Sequence, residues 1–364
     1  MDISDVIAPD FLYVSLLVAL YGILLLSYRI LLHPLKAYPG PFLARLSDIH
    51  NGYYAMRKSL HLVSRSDHQK YGKVIRHGPN KLLFNTPKAL HDIYNNDMVV
   101  KSYVYSVFIQ TPGVHSLFTV VDKQHHTAKR RIVGQVINDR AFSTSGALSA
   151  LFFYLSQSPS CYERLATEIR SAFATSHEIR GGPKLAGCQY LRACIDEALR
   201  IAPPVPGTMW REPAANNSKP LIIDGHYIPP GTQIGVNIYA IHHNPEYFQD
   251  PFTFKPERWL SETPEAQRKS MQDAFSAFSV GYRGCAGKAM AYLESSLVVA
   301  KTLWYFDFER APGKLGEVSG GRPGSHNGRS RLDEFQLYDI ISGAHDGPFL
   351  IFTPRGDSSA SERR

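Results

Sequence analysis

The sequence predicts a mainly α protein with small β-sheets and one N-terminal transmembrane helix. Three observations lead there: an uncharged apolar run near the N-terminus, several stretches with apolar residues at helical spacing, and short regions where apolar and polar residues alternate around Gly and Pro turns. With 364 residues, 44% of them hydrophobic, the chain can bury a large core.

Phe11 to Tyr28 (FLYVSLLVALYGILLLSY) carries no charge and as a helix spans about 27 Å, enough for a hydrocarbon core. Asp2, Asp5 and Asp10 precede it while Arg29, His33 and Lys36 follow. That is the reverse of a cleaved leader and places the following chain on the cytosolic side. Residues 1–10 are then lumenal, 11–32 the anchor and 33–45 a hinge, with Pro34, Pro39 and Pro41 breaking any helix.

The formal charge of +8 raises the question of nucleic acid, but no basic run with interleaved aromatics accompanies it. An anionic membrane surface and an acidic protein partner account for it better. Cys161, Cys188, Cys194 and Cys285 lack the spacing of a disulfide framework or zinc site. His242 and His243 have no third ligand and read as structural. Asn216 opens a glycosylation sequon that a cytosolic face leaves unmodified.

From Ser64 to Tyr94 the text gives a short helix, a strand KVIRHGP, a turn, KLLFN and a helix after Pro87. Val100 to Val114 lacks a period and reads as a loop. His125 to Phe142 places Ile132, Val133 and Val136 opposite a basic face, as an amphipathic helix does; Lys129 and Arg131 lie on that face, open to an acidic partner or to water. Glu197 and Arg200 stand at i and i+3 on a later helix, close enough to pair. KPLIIDGHYIPPGTQIGVNIYAIHHNP alternates around Gly225 and Pro229-Pro230-Gly231 as strands and turns. Beyond Cys285, Ala289, Leu293, Leu297 and Ala300 mark an apolar helical stripe. Pro312 to Arg331 reads as an exposed loop, and EFQLYDIISGAHDGPFLIFTPR as two strands around a turn.

The chemistry concentrates in Phe278 to Gly287 (FSVGYRGCAG), where Cys285 stands at the mouth of a helical pattern beginning at Ala286. Free backbone N–H groups and the positive dipole end there favour a thiolate. Gly281, Gly284 and Gly287 permit bends and close approach to a flat ligand, and Arg283 suits a haem propionate. A buried structural cysteine in a Gly-rich loop is the plainer alternative.

This run resembles the haem motif of the cytochrome P450 family, F-x-x-G-x-R-x-C-x-G, matched at Phe278, Gly281, Arg283, Cys285 and Gly287. The likeness extends from about Leu32 to Arg355, and the proline-rich hinge is similar to that of microsomal fungal members. It implies the P450 fold and a haem-binding catalytic domain over 46–364. The cofactor would be haem (iron protoporphyrin IX) with Cys285 as axial thiolate, a ligand that pushes electron density onto iron and favours O–O cleavage. Phe278, Arg283 and Gly287 surround it by the same likeness, with Arg130 and Arg211 at propionate positions and His126 replacing the usual aromatic four residues before Arg130. Glu197, Arg200 and Arg258, the last within Pro256-Glu257-Arg258-Trp259, would brace the core. Tyr103, Tyr105 and Phe108 fall on a loop that lines the substrate pocket in the family, and Ser342 to Phe349 on a tip that enters it.

The chain also departs from the pattern. Near 142–144 several helices are absent, including the pocket roof and the first half of the oxygen-activating helix. Thr144 matches the catalytic threonine, yet Ser143 replaces the acid before it, leaving the proton relay incomplete; an N-cap is the simpler role for Thr144. The resemblance implies a monooxygenase acting on a small lipophilic substrate with O2, in secondary metabolite biosynthesis, fed by an NADPH-dependent cytochrome P450 reductase at the endoplasmic reticulum membrane. A haem-thiolate isomerase or dehydratase, and a shortened non-catalytic or misassembled gene product, stay open at this point.

Overall fold

The computed structural model describes residues 3–133, 141–215, 219–326 and 328–356. Helix α1 (Ile3–Ser27) continues into a π-helical turn, Tyr28–Leu32, and the stretch Phe11–Leu32 is long and apolar enough to cross a bilayer with none of it buried in the protein. The hinge is tied down. Leu35 is fully buried, Arg76 donates its amide to the Pro39 carbonyl (2.6 Å), and the Arg76 guanidinium reaches the Arg29 carbonyl (2.9 Å). Contrary to a helix-free reading of this stretch, Pro41 precedes a short α2 (Phe42–Leu46), because proline obstructs the turn before it and not the one after.

Helices α3 (Ile49–Met56) and α4 (Leu60–Tyr71) lead into β1 (Val74–Gly78), β2 (Lys81–Phe84) and α5 (Pro87–Tyr94). The last starts where it does because the Thr86 hydroxyl caps the Ala89 amide (3.1 Å) and Pro87 occupies the first turn. Val100 and Lys101 are not loop: they belong to β3 (Val99–Lys101), whose partner lies far along the chain and leaves no local pattern. A 3₁₀ segment, Tyr103–Phe108, follows.

Next come α6 (Lys123–Val133), α7 (Ala141–Gln157), α8 (Pro159–Ala172), α9 (Pro183–Ala186) and α10 (Gln189–Ile201). The expected helix over 125–142 agrees with α6 as far as it is described; Val136 and the side chains of Ile132, Val133, Phe142 and Ser143 lie outside the described residues, as does Asn216. Thr144 stands inside the first turns of α7 and is not its N-cap.

Strands β4 (Arg211–Pro213), β5 (Leu221–Ile223), β6 (His226–Ile228) and β7 (Gln233–Val236) complete the main sheet and a hairpin. The hairpin turns on Asp224 and Gly225, both at positive φ (47° and 80°), the geometry an Asp-Gly pair favours. The strand pattern stops at Val236: Asn237 caps the Ala240 amide (2.8 Å) and starts α11 (Ile238–His242). The sheet order is β1-β2-β7-β4-β3, with β2 and β7 parallel and the other pairs antiparallel.

Helices α12 (Glu265–Ala274) and α13 (Lys288–Tyr305) flank the cysteine loop; β8 (Phe306–Arg310), α14 (Gly313–Gly316), β9 (Tyr338–Ile340), β10 (Ser342–Ala344) and β11 (Leu350–Pro354) finish the chain. The last segment thus has three strands, β9 with β10 and β11 returning to β8. Within the expected exposed loop, Gly320 and Gly321 are packed so closely that a Cβ would stand 2.4 Å and 2.3 Å from the carbonyls of Leu332 and Arg331. On α13 the covered face is Ser295, Val299, Ala300 and Leu303, while Ala289 and Leu293 of the expected stripe are exposed.

Two apolar cores result. One joins α7, α8, α10 and α13; the other joins the main sheet, the β5–β6 hairpin, α5 and α12. Trp259 packs on both.

Candidate haem-binding site

Phe275 to Gly287 crosses from α12 to α13 in a series of turns. Gly281 has φ 76°, and a Cβ there would stand 2.2 Å from the Tyr94 carbonyl, so the loop closes on α5 only with glycine. The Cys285 amide donates to the Phe278 carbonyl (2.8 Å) and the Gly284 amide to Gly281 (2.9 Å). These bonds curl the loop and leave Cys285 exposed as a free thiol. Helix α13 begins two residues later than its sequence pattern suggests, with Gly287 as its N-cap. Phe278 sits against Tyr292 of α13, ring centroids 5.1 Å apart.

Three arginines converge around this loop. Arg130, in the last turn of α6, donates to the Gly284 carbonyl; Arg283 donates to the carbonyls of Val120 (3.1 Å) and Val121 (2.6 Å); Arg211, on β4, donates to the Tyr105 hydroxyl (3.1 Å) and to the Met209 and Trp210 carbonyls. Lys101 joins them from β3, opposite Arg211 in register, with Nζ on the carbonyls of Leu117 (3.0 Å) and Phe118 (2.7 Å). Among the described residues none of the four is paired with a carboxylate. Burial, reinforced by Arg283 and Arg211, brings the Lys101 ammonium down to about 7. His126 is buried on the same cluster; burial, then the charges of Arg283, Lys101, Arg130 and Arg211, bring it down to about 4. Held by neutral acceptors, this set of basic groups has the donor chemistry that binds an anion.

Behind the loop lies a second charged group of opposite design. Glu197 is fully buried and accepts from Arg200 (3.0 and 2.8 Å), Arg258 (3.0 Å), Trp259 Nε1 (2.9 Å) and the Lys255 amide (3.0 Å). Burial raises its carboxyl, but Arg200 and Arg258 outweigh that and hold it below the usual value. His242 ties this network to the loop: Nδ1 donates to the Arg200 carbonyl (3.0 Å) and Nε2 accepts from the Ser276 amide (2.9 Å). His243 donates to the Tyr239 carbonyl (2.9 Å), and no group of three or more metal-binding side chains occurs among the described residues.

The other sequence candidates are dispersed. Thr144 Oγ1 faces the Glu294 carboxylate on α13 at 3.5 Å. Tyr105 belongs to the cation cluster, whereas Tyr103 lines a cleft of about 550 Å³ beside Arg29, Lys81 and the β5–β6 hairpin. Residues 342–349 turn back on the body of the protein: Gly343 donates to the Pro204 carbonyl (2.7 Å), and His345 meets Phe335. Sequence reasoning did not single out Lys101. Its one local trace is a lysine among the valines of a short strand, which states neither burial nor company.

A family description, Cytochrome P450, matches residues 141–319. Cytochrome P450 monooxygenase AKT7 of Alternaria alternata is 29% identical over 90% of this chain and 94% of its own length. Cytochrome P450 monooxygenase apf7 of Gibberella fujikuroi is 27% identical over 96% and 99%. A cytochrome P450 monooxygenase of Gibberella zeae is 43% identical over 220 residues, 60% of this chain and 49% of its own. The chain belongs to the cytochrome P450 family and, with these relatives, to the monooxygenase class of oxidoreductases. It is internally short: 90% of 364 residues, about 328, spread over 497 aligned positions, so about 170 positions face no residue here.

Family membership implies a haem, and the residues present fit one. An iron porphyrin offers a metal that takes a thiolate and two carboxylates that need cations. An exposed thiol and a carboxylate-free cluster of Lys101, Arg130, Arg211 and Arg283 lie on and around one loop.

Proposed function

We propose that this chain is a membrane-anchored haem-thiolate monooxygenase that oxidises a small lipophilic substrate in fungal secondary metabolism. The observation that carries the reading is the cation cluster without a carboxylate beside the exposed thiol of Cys285. Cys285 is the iron ligand; Arg130, Arg211 and Arg283 hold the propionates; Phe278 and Gly287 shape the loop; Glu197, Arg200 and Arg258 keep the wall behind it rigid. When bound, the haem supplies one-electron and O2 chemistry, with the thiolate favouring O–O cleavage. The protein's own part is to orient the cofactor, exclude water and deliver protons, and Thr144 is the residue assigned to the last. Electrons come from an NADPH-cytochrome P450 reductase at the endoplasmic reticulum membrane, docked on a basic cytosolic face that includes Lys129 and Arg131. The domain boundaries are the anchor 11–32, the hinge 33–45 and the catalytic domain 46–364. NADPH-dependent oxygen uptake with that reductase tests the reading; haem incorporation without reduction or uptake favours an isomerase or dehydratase.

One specific observation favours a second reading, a shortened product with an incomplete oxygen face. About 170 positions of the AKT7 relative have no counterpart in the 364-residue chain, and Thr144 faces Glu294. Sequencing the transcript across the codons for Phe142 to Thr144 decides between a skipped segment and a true short form.

A further inference from the structure

Three arginines gather where the anchor meets the body of the protein. Arg76, on β1, is fully buried, and its guanidinium is held by carbonyls alone, those of Pro79 (3.2 and 2.9 Å) and Arg29 (2.9 Å). Arg29, in the π-helical turn that ends the span, donates to the Leu46 carbonyl at the end of α2. Arg45, in the last turn of α2, forms no side-chain hydrogen bond among the described residues, and its Nε is closed off from water without a partner. The three are near enough to act on one another: burial first, then the charges of Arg45 and Arg29, bring the Arg76 guanidinium down to about 10. Among the described residues none of them pairs with a carboxylate. Asp48, the acid nearest in sequence to Arg45, is taken by Lys81 (2.9 Å). A buried guanidinium and an unpartnered donor are costly unless an anion meets them.

Their place on the anchor identifies the source of that anion. Counted from Phe11 at 1.5 Å per residue, Arg29 stands about 27 Å along the helix, at the level of the lipid headgroups. Leu31 and Leu32, just after Arg29, and Phe42 and Leu43, just before Arg45, are exposed apolar residues suited to lipid tails. With no carboxylate in the cluster to receive a choline or ethanolamine ammonium, the chemistry favours a headgroup whose phosphate is its only charge.

We propose that Arg29 and Arg45, backed by Arg76, form a binding site for the phosphate of an anionic phospholipid where the anchor leaves the bilayer. The site rests on Phe11–Leu32 being a membrane span and is independent of haem.

The test uses the full chain in micelles of a neutral detergent doped with dioleoyl phosphatidic acid, and native mass spectrometry counts the lipid retained. Dioleoyl phosphatidylcholine and dioleoylglycerol at the same mole fraction are the controls, and inorganic phosphate is the soluble competitor. The parent chain should retain one phosphatidic acid, held about fivefold more tightly than by Arg29→Gln or Arg45→Gln and about twentyfold more tightly than by the double variant, the scale set by one basic residue at an anionic membrane surface. The Arg29→Lys, Arg45→Lys chain keeps both charges and should recover most of that binding, which separates loss of the site from misfolding. Lys269→Gln, at an exposed lysine of α12, should match the parent. Equal retention of phosphatidic acid by the parent and the double glutamine variant, or equal retention of all three lipids by the parent, overturns the proposal. Full displacement of the lipid by inorganic phosphate overturns it too, by assigning the arginines to a free anion. Extraction of the parent chain from vesicles at alkaline pH would refute the span, and with it the lipid as ligand, even where the micelle titration still ranks the variants.

Discussion

Replacing Glu197 with alanine should remove about 4 kcal/mol of stability, within the 3–5 kcal/mol that breaking a buried ion pair costs. The carboxylate is 0% exposed and takes bonds from two guanidiniums, an indole and an amide. After the change Arg200 and Arg258 keep their carbonyl partners, His242, Pro251 and Gln249, but have no counter-charge in a site closed to water. That loss is about a quarter or more of a typical domain's stability of about 5–15 kcal/mol. The control is Lys73→Ala, which removes a pair with Glu246 whose side chains are 56% and 49% exposed; it should cost less than about 1 kcal/mol. Urea unfolding of the full chain in detergent, followed by tryptophan fluorescence, reports the difference, and Trp259 itself touches the altered group. Because the native carboxyl titrates below its ordinary value, the stabilisation it gives is complete above that value and fades only as pH falls through the depressed one. The deficit of E197A should therefore be constant between pH 5 and 8. A loss no larger than that of K73A would refute the bracing role.

Two other perturbations follow from the same packing. Gly281→Ala places a Cβ against the Tyr94 carbonyl at positive φ; it should destabilise the chain by about 2 kcal/mol and loosen haem retention, read as faster haem loss to an acceptor protein. Glu334 is nearly sealed, with Oε2 unpartnered, and burial raises its carboxyl to about 7 despite the bond from Tyr239. Its native form holds a proton that the unfolded chain has lost, so stability should fall as pH rises from the ordinary carboxylate range to about 7 and then level off. Glu334→Gln should flatten that slope and raise stability above pH 7 by up to about 3 kcal/mol; thermal melts across pH 5 to 8 read both.

What the sequence made legible was local. The Cys285 loop is a contiguous run whose glycines and helix start sit within a few residues, and Glu197 with Arg200 needs only helical spacing to be seen as a pair. The β5–β6 turn announces itself through Gly225. The unread parts depend on long-range closure. Lys101 looks like a loop residue until β3 meets β4, and only then do Arg211, Arg283 and His126 surround it. α11 hid inside an alternating pattern because one side chain, Asn237, decides where the strand ends. The stripe on α13 was half right: periodicity marks which residues are apolar, whereas cover is supplied by other helices, and Ala289 and Leu293 have too little of it to be buried.

The central claim is that Cys285 binds haem iron as a thiolate within this cluster of cations. The measurement that tests it most directly is the absorbance spectrum of the reduced, carbon-monoxide-bound protein, recorded for the full chain and for Cys285→Ser. A Soret band at the long-wavelength thiolate position is expected in the first and its disappearance in the second, with membrane attachment unchanged. No such band in the parent chain, or its survival in C285S, would contradict it.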